Sequence, residues 1–420
     1  MRYFKNKSFA SQVGVLVTGT AIANAIPIVF SPILTRLYLP EDFGLAALYF
    51  SCVMFIGVFA TARYELAITL PESDVDAANI VSLCLKLCSL ISLLIYLPIF
   101  FFGNDIAQLL GNSQLMPWFY LLPISVMANG TFEVFQYWCN RREQYRYMST
   151  SRVQDGTFTG LTNVFFGLAK TNGGMISGQT LGKIIASLLI GIKSWRENKK
   201  VFNKISKERE KFVAKLYSNH PRYIAPAQLI GVVAQQIPFI TIGLLYSVKT
   251  VGFFAIAYKL VTLPTGLIAS AIGDVYRQRI SVAYAKYGEF KNLFLKTFRK
   301  TATIGALPFT ILFLLCPKLF ALIFGQNWII AGEYAQVLIV ASFIQFIYTP
   351  IDKGAVIAGK TRYIFGWQLS RLLIMLLISG LAQLYSWQFY YYLWSLVIGN
   401  VSLYLTDIFV EFKISEGNIK

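Results

Sequence analysis

The residues of this sequence whose types could do chemistry are charged side chains inside long apolar segments. Three basic residues fall near the middle of such segments and three fall nearer their ends, in the order Lys183, Lys259, Arg371, Arg63, Lys86 and Lys353. A Lys or Arg at the centre of a membrane helix costs about 2.5–3.5 kcal/mol, so it faces a bundle interior, an aqueous cavity or an acidic partner. We therefore predict that these six residues line a cavity. Its positive middle suits an anionic substrate that carries a phosphate or pyrophosphate group.

Acidic residues lie in or beside the same apolar segments, mostly toward one end of each. They are Glu65, Glu133, Asp155, Asp274, Asp352 and Asp407. Carboxylates in these places suit ion pairs with the basic residues, or coupling to protons or sodium ions. Two structural alternatives stay open. Arg63 and Glu65 lie close enough to an interface to snorkel to water, and Asp352 beside Lys353 is also explained as a local pair.

Patterns typical of catalysis and of metal binding do not occur in the sequence. The single histidine, His220, has no candidate partner, and there is no Gly-rich phosphate loop, His-Glu-x-x-His or Cys-x-x-Cys pattern. The five cysteines lie in or beside apolar segments without zinc-type spacing, and we interpret them as small buried side chains. We expect neither enzymatic activity nor a cofactor or metal.

The elements that position these charges are membrane helices. Of the 420 residues, 56% are hydrophobic and 14% are charged, and apolar runs recur from end to end. Because about 20 apolar residues cross the bilayer core, we predict an all-α polytopic membrane protein with twelve spans. The predicted spans are 10–34, 44–68, 79–102, 115–139, 153–171, 174–194, 223–246, 250–274, 301–324, 333–357, 362–384 and 386–410.

The basic residues outside the spans are divided unevenly between the two sides of the membrane. Of the 38 Lys and Arg residues, 28 fall on the side of the N-terminus, four fall on the opposite side and six lie within spans, when residues toward the span ends are counted with the adjoining connection. By the positive-inside rule, both termini are cytoplasmic. The net charge of +18 is therefore a topology signal, and no nucleic-acid-binding motif accompanies it.

The second half of the chain echoes the first. RLYLPEDFGLAALY, from Arg36, is matched by LLYSVKTVGFFAIAY, from Leu244, and three further short matches have offsets between 211 and 216 residues. We predict two six-helix bundles at 1–195 and 223–420, arranged as parallel repeats, a design in which transporters hold the substrate between the halves. The basic segment 196–222 carries apolar residues at helical spacing, which predicts an amphipathic helix on the cytoplasmic surface.

Three stretches resemble a known family. TRLYLPEDFGLAALY (Thr35 to Tyr49), RYELAITLP (Arg63 to Pro71) and AGKTRY (Ala358 to Tyr363) are similar to stretches of the polysaccharide biosynthesis proteins. These are the O-antigen and related repeat-unit flippases of the multidrug/oligosaccharidyl-lipid/polysaccharide (MOP) exporter superfamily. Arg63 and Glu65 match the family's Arg-Tyr-Glu element. The second half departs from the pattern, since Val248, Lys249 and Thr250 stand where the first half has Pro-Glu-Asp.

The resemblance implies a V-shaped pair of six-helix bundles in the bacterial inner membrane. It implies transport of an undecaprenyl-diphosphate-linked oligosaccharide, such as an O-antigen unit of lipopolysaccharide, to the periplasmic leaflet. The lumen would be cationic, with coupling to H⁺ or Na⁺ left open. The expected partners are the lipid-linked glycan, membrane lipids, and the polymerase and chain-length machinery. The alternatives are a multidrug extruder of the same superfamily and a noncatalytic membrane assembly protein.

Overall fold

The computed structural model describes residues 9–417, and it describes side-chain surroundings from residue 18 onward except at Pro264 and Thr361. The basic residues at positions 2, 5, 7 and 420, which enter the predicted charge asymmetry, lie outside the described residues. Within the described range the chain is helical and has no β-strand.

Twelve helices of 20 residues or more account for most of residues 9–417. They are α1 (Phe9–Leu37), α2 (Pro40–Ala60), α3 (Asp74–Leu94), α4 (Leu122–Arg141), α5 (Tyr145–Leu168), α6 (Gly174–Glu197), α7 (Ala225–Leu245), α8 (Val248–Tyr287), α9 (Lys291–Phe324), α10 (Ile329–Ile351), α11 (Thr361–Leu384) and α12 (Phe389–Ser415). Among the described residues, ten helical segments are long and apolar enough to cross a membrane, and α4 and α5 are the two long helices outside that set. The predicted fold class is confirmed.

The chain divides into two compact units, Met1–Val232 and Val233–Lys420. The first unit contains α1 to α6 and the basic segment after α6. The second contains most of α7 together with α8 to α12. The predicted boundaries at residues 195 and 223 stay a prediction.

The start of α2 is explained by its sequence. Pro40 is the first residue of the helix, where its missing N–H leaves no bond unmade. The backbone N–H of Leu39 donates to the Asp42 carboxylate over 2.9 Å, and acidic residues in a first turn interact favourably with the helix dipole. In the second half, α8 is capped instead by Ser247, whose Oγ accepts the N–H of Thr250 at 3.1 Å. The two repeats therefore begin this helix with different chemistry.

Helix α5 packs against α1 on one side and α6 on another. The Tyr38 hydroxyl, just after α1, donates to the carbonyl of Asn163 on α5 over 2.7 Å. A Cβ added at Gly178 would overlap Asn163 Oδ1, and one at Gly182 would lie 2.5 Å from the Cα of Thr159. Small residues along α6 thus permit a close approach of α5 and α6, as is common between membrane helices.

The third predicted span, 79–102, is wrong as a single helix. Helix α3 ends at Leu94, and a second helix, Tyr96–Leu109, begins after Ile95. Pro98 accounts for the position of the break, because it lies in the first turn of the second helix, where a proline's missing N–H leaves no helical bond unmade.

The basic segment after α6 was predicted to be one amphipathic helix, and this is also wrong. It forms two short helices, Lys199–Phe202 and Lys207–Leu216, and we call the second one the surface helix. Ser206 separates them, because its Oγ accepts the N–H of Arg209 at 3.3 Å and so starts a new helix. The N–H of Ser206 donates to Asn79 Oδ1 on α3 over 3.0 Å.

The surface helix is docked on the first unit. Lys86 on α3 and Glu210 approach to 2.6 Å, and the Tyr64 hydroxyl donates to the carbonyl of Ala214 over 2.9 Å. Val213 is buried beneath the helix. The ring of His220, the only histidine, lies nearly parallel to that of Tyr64 with 6.4 Å between centroids. This basic segment is therefore part of the first unit's packed structure.

Candidate functional site

Four of the predicted site residues line one cavity of the second unit. The cavity has a volume of about 360 Å³ and lies among α10, α11, α12 and the residues that join α10 to α11. Asp352 and Lys353 follow the last residue of α10, Arg371 lies on α11 and Asp407 lies on α12. The sequence predicted that Lys353 and Arg371 line a cavity, but which charged residues share it depends on helix packing.

The acidic residues of this cavity have defined partners. Asp407 is buried, and the Tyr363 hydroxyl donates to its Oδ1. Lys353 Nζ lies 2.5 Å from Asp352 Oδ1, so the local pair considered from the sequence is present, and it faces the cavity. A partly buried pair of this kind is compensated in charge.

Glu411 is a member of this site that the sequence reasoning missed. It lies one helical turn after Asp407 and is 1% exposed, and its Oε1 accepts the N–H of Ala355 at 3.1 Å. The predicted span ended at residue 410, whereas α12 continues to Ser415. The signal that could have found it was the i, i+4 spacing of two acidic residues, which places both on one helix face.

Aromatic rings form another wall of the cavity. The ring of Tyr348 lies nearly parallel to that of Trp367, with 6.0 Å between centroids and 19° between planes. It is also stacked on Tyr404, at 4.9 Å and 25°. These rings pack α10 against α11 and α12, and they give the cavity both apolar surface and hydroxyl groups.

Arg371 is a cation of the cavity that forms no ion pair within residues 18–417. Its guanidinium carbon lies 6.0 Å from the centroid of Trp367. Its Nε is buried without a hydrogen-bond partner, as are Trp367 Nε1 and Gln368 Oε1. A buried polar atom without a partner costs about 1–3 kcal/mol, so this wall is suited to a ligand that supplies both donors and acceptors.

Arg371 also borders a second, smaller cavity of about 60 Å³ in the same unit. Gln345, Arg371 and Tyr404 line both spaces. The smaller cavity continues toward Tyr258 and Asn400. The guanidinium group therefore lies between a polar chamber and a more apolar one.

The structure does not place Lys259 or Asp274 in the larger cavity. Both lie on α8 with exposed side chains, and neither has an ion pair within the part of the chain that the structure describes. Lys259 directly follows Tyr258, which lines the smaller cavity.

In the first unit, Lys183 is paired. Its Nζ lies 2.5 Å from Asp155 Oδ2, and both side chains are about one-fifth exposed. The ammonium group also lies 4.4 Å from the ring centroid of Phe132. This pair joins α6 to α5 and compensates the charge that the sequence placed near mid-membrane.

Arg63 and Glu65 form a second pair, beyond the end of α2. Arg63 has a left-handed backbone (φ 61°), which places its Nη1 at 3.1 Å from Glu65 Oε1. Glu65 is completely buried and also accepts a hydrogen bond from the Thr61 hydroxyl. Complete burial argues against the alternative that Glu65 snorkels to interfacial water. Glu133 is exposed on α4 and interacts electrostatically with Glu65 and Arg63.

Lys86 lies elsewhere, on the outside of the first unit. Its side chain is 59% exposed, and its role in the structure is to hold the surface helix through Glu210. Arg152, which was not predicted, is a half-buried basic residue of this unit. Its Nη1 donates to Thr20 over 2.9 Å and its Nε donates to Gln136 over 3.2 Å. Arg152 was missed because the predicted fifth span began at residue 153, whereas α5 begins at Tyr145.

Metal-binding geometry does not occur in the described part of the chain, where no group of three or more His, Cys, Asp and Glu side chains is arranged to hold an ion. The cysteines are free, and all but Cys52 are buried. This placement agrees with their interpretation as small packing residues.

The family model described as "Polysaccharide biosynthesis protein" matches residues 33–332. No curated protein matches the chain in sequence. Among solved structures, the lipid II flippase MurJ in its inward closed conformation is similar over 96% of this chain and 90% of its own, with a TM-score of 0.74 and 16% identity. An inward-facing multidrug resistance MATE transporter of the MOP superfamily is similar over 96% of this chain and 98% of its own, with a TM-score of 0.67 and 13% identity. The MATE multidrug transporter DinF-BH is similar over 98% of this chain and 96% of its own, with a TM-score of 0.67 and 14% identity. At these identities the similarity establishes a shared fold.

Proposed function

Because the chain belongs to the polysaccharide biosynthesis protein family and has the fold of MOP-superfamily transporters, we propose that it is a flippase for a lipid-linked glycan. The substrate is an undecaprenyl-diphosphate-linked oligosaccharide, an O-antigen or related repeat unit, which moves from the cytoplasmic to the periplasmic leaflet. The observation that carries this proposal is Arg371, which lacks an ion pair in the described residues and lies beside a cavity rich in hydroxyl, amide and carboxylate groups.

The side chains of the cavity match the chemistry of such a headgroup. A guanidinium group donates two parallel hydrogen bonds to a phosphate, which is the role we assign to Arg371. Sugar hydroxyls donate and accept hydrogen bonds, and the unpaired Trp367 Nε1 and Gln368 Oε1 offer one of each. Lys259, on α8, supplies a second cation along the path, and Asp352 and Asp407 are the sites for H⁺ or Na⁺ coupling.

The cellular setting follows from the same proposal. The protein is placed in the bacterial inner membrane with both termini in the cytoplasm, because the connections on the N-terminal side carry most of the basic residues. The bundles 1–195 and 223–420, which segment 196–222 joins in the chain, move the substrate by alternating access. The polymerase and chain-length proteins are its functional partners.

A multidrug extruder is the second candidate, and one observation favours it. Asp352, Asp407 and Glu411 line a single cavity, and carboxylates in a membrane protein suit a cationic drug. Arg371 in the same cavity counts against a cationic substrate, because a like charge raises the cost of binding.

Deletion and complementation test the proposal. We expect that the strain without the gene loses surface glycan and accumulates lipid-linked intermediate facing the cytoplasm. Arg371→Ala should restore at most about one-tenth of the glycan, since hydrogen bonds to a charged group contribute about 1.5–3 kcal/mol. Arg371→Lys should restore more, because it keeps the charge.

The control is Arg299→Ala, which removes an exposed arginine of α9. It should restore glycan fully at equal protein level. Normal glycan in both Arg371→Ala and Lys259→Ala would contradict a cationic substrate path. Intact glycan with altered drug sensitivity in the deletion strain would favour the extruder.

A further inference from the structure

A groove on the first unit lies away from the cavity described above. It has a volume of about 400 Å³ and runs between α5 and α6 at the ends that we assign to the cytoplasm. Tyr147, Thr150 and Gln154 line it from α5, at the i, i+3, i+7 spacing of one helix face, and Lys193 and Arg196 line it from α6. The groove is thus an interfacial space with two cations on one wall and polar groups on the other.

The two cations lack carboxylate partners in the described residues. Lys193 Nζ lies 3.5 Å from the ring centroid of Tyr147, and neither Lys193 nor Arg196 has an ion pair within residues 18–417. The carboxylate that lines the groove, Glu197, forms hydrogen bonds with neutral groups. Its Oε1 accepts the Tyr147 hydroxyl at 2.7 Å, and its Oε2 accepts the amide of Gln144 at 3.2 Å. The groove therefore carries two cations and one carboxylate, and its net charge is positive.

An apolar stripe borders the groove on the outside of α6. Leu188, Leu189, Ile192 and Trp195 are each exposed, by 41–55%. Side chains of this kind on a membrane helix face acyl chains, and a Trp near a helix end is typical of the headgroup level. Positive charge beside an apolar stripe at this depth matches an amphiphile with an anionic headgroup.

We propose that this groove binds one anionic phospholipid of the cytoplasmic leaflet. The lipid phosphate lies between Lys193 and Arg196, the headgroup hydroxyls reach Thr150 and Gln154, and an acyl chain follows the apolar stripe. Basic pockets between membrane helices on the cytoplasmic side are suited to such headgroups. The bound lipid joins α5 to α6 just before the chain enters the two short helices of the basic segment. This site does not depend on which substrate is transported.

Native mass spectrometry of the purified full-length protein tests the proposal, with phosphatidylglycerol as the anionic probe and phosphatidylethanolamine as the comparison. The wild type should retain phosphatidylglycerol preferentially. Each basic residue near an anionic surface contributes about fivefold in affinity, so Lys193→Gln with Arg196→Gln should lower retention about 25-fold on the same basis. The control double variant, Lys199→Gln with Lys200→Gln, makes the same charge change at exposed residues beyond the groove and should lower retention less than about twofold, because those residues do not line the site.

A second variant tests the shape of the groove with its charge unchanged. Thr150→Trp fills the groove, and it should also abolish the preference for phosphatidylglycerol while the protein elutes as a single species. If both double variants lost phosphatidylglycerol retention equally, the attraction would be a diffuse one between basic residues and anionic lipid, and the proposal would be overturned. Unchanged retention in Thr150→Trp would overturn it as well. If inorganic phosphate displaced phosphatidylglycerol at equal concentration, the groove would be a simple anion site and not a lipid site.

Discussion

The ion pair between Lys183 and Asp155 leads to the most discriminating experiment on the first unit. Removing one partner of a fully buried pair costs about 3–5 kcal/mol, and a fully exposed pair contributes about 0–1 kcal/mol. Both side chains are about one-fifth exposed, so we expect about 2 kcal/mol for a single neutral substitution. In a unit of this size that corresponds to a fall in thermal midpoint of about 4–8 °C.

The two single substitutions should differ in size. Lys183→Met leaves Asp155 without the cation that pairs with it, and Asp155 Oδ1 is already buried without a hydrogen-bond partner. Asp155→Asn leaves Lys183 over the ring of Phe132, a cation–π contact that contributes about 0.5–2 kcal/mol. We therefore expect the lysine substitution to be the more destabilising of the two.

The double variant, Lys183→Met with Asp155→Asn, completes a double-mutant cycle. Because it leaves no unpaired charge, its destabilisation should be smaller than the sum of the two single effects by about 1–2 kcal/mol. The thermal midpoint of all four proteins is measured in detergent, from the fraction of protein that stays monodisperse after heating. Additive effects, or single variants indistinguishable from wild type, would refute the reasoning.

Glycan display of the same four variants separates structure from transport. If Lys183 acts only through its pair, the double variant should display glycan nearly as well as wild type. If Lys183 contacts the substrate, Asp155→Asn should keep glycan and both variants without the lysine should lose it at unchanged protein level.

Three further outcomes follow from packing and charge. Gly182→Ala should lower the thermal midpoint because its Cβ would lie 2.5 Å from a backbone atom of α5, whereas Gly380→Ala, with nothing within 4 Å, should not. Lys291 lowers the pKa of Glu416 by hydrogen bonding and charge, so Glu416→Gln should destabilise the protein above pH 4.5 and match wild type in thermal midpoint once acid has protonated the carboxylate. Lys86→Ala should speed proteolytic cleavage of the surface helix, measured by limited digestion, because it removes the pair that docks it.

Much of the fold could be predicted, because each membrane helix corresponds to a contiguous run of apolar residues. The α1–α2 break at Pro40 and the close approach at Gly178 were readable as local patterns, since proline and glycine act within one helix or one contact. The break after Ile95 was missed because Pro98 interrupts a run that is apolar on both sides. The basic segment is divided at Ser206, which is a local helix-start signal, but its contact with Asn79 of α3 could not be predicted because the two residues are remote in sequence.

The candidate site was less predictable. The sequence identified Lys183 and Asp155 as charged residues in spans, but their pairing depends on how α5 and α6 face each other. Arg371 and Asp407 meet at one cavity for the same reason. Glu411 was missed because the predicted span ended at residue 410, one residue before it. That any of these residues contacts substrate stays a prediction.

The packing of α1 has a consequence for biosynthesis. Its partner α5 leaves the ribosome about 130 residues after α1, which takes about 7–26 s at about 5–20 residues per second. During that interval α1 must remain in the membrane without its neighbour. Its Ser31 hydroxyl donates to the carbonyl of Pro27 over 2.6 Å, and its Thr35 hydroxyl donates to that of Pro32 over 3.1 Å. These two hydroxyls form their hydrogen bonds within α1 itself, so they do not require a neighbouring helix in the lipid bilayer. The packing of α1 against α5 is therefore a late step in the assembly of the first unit.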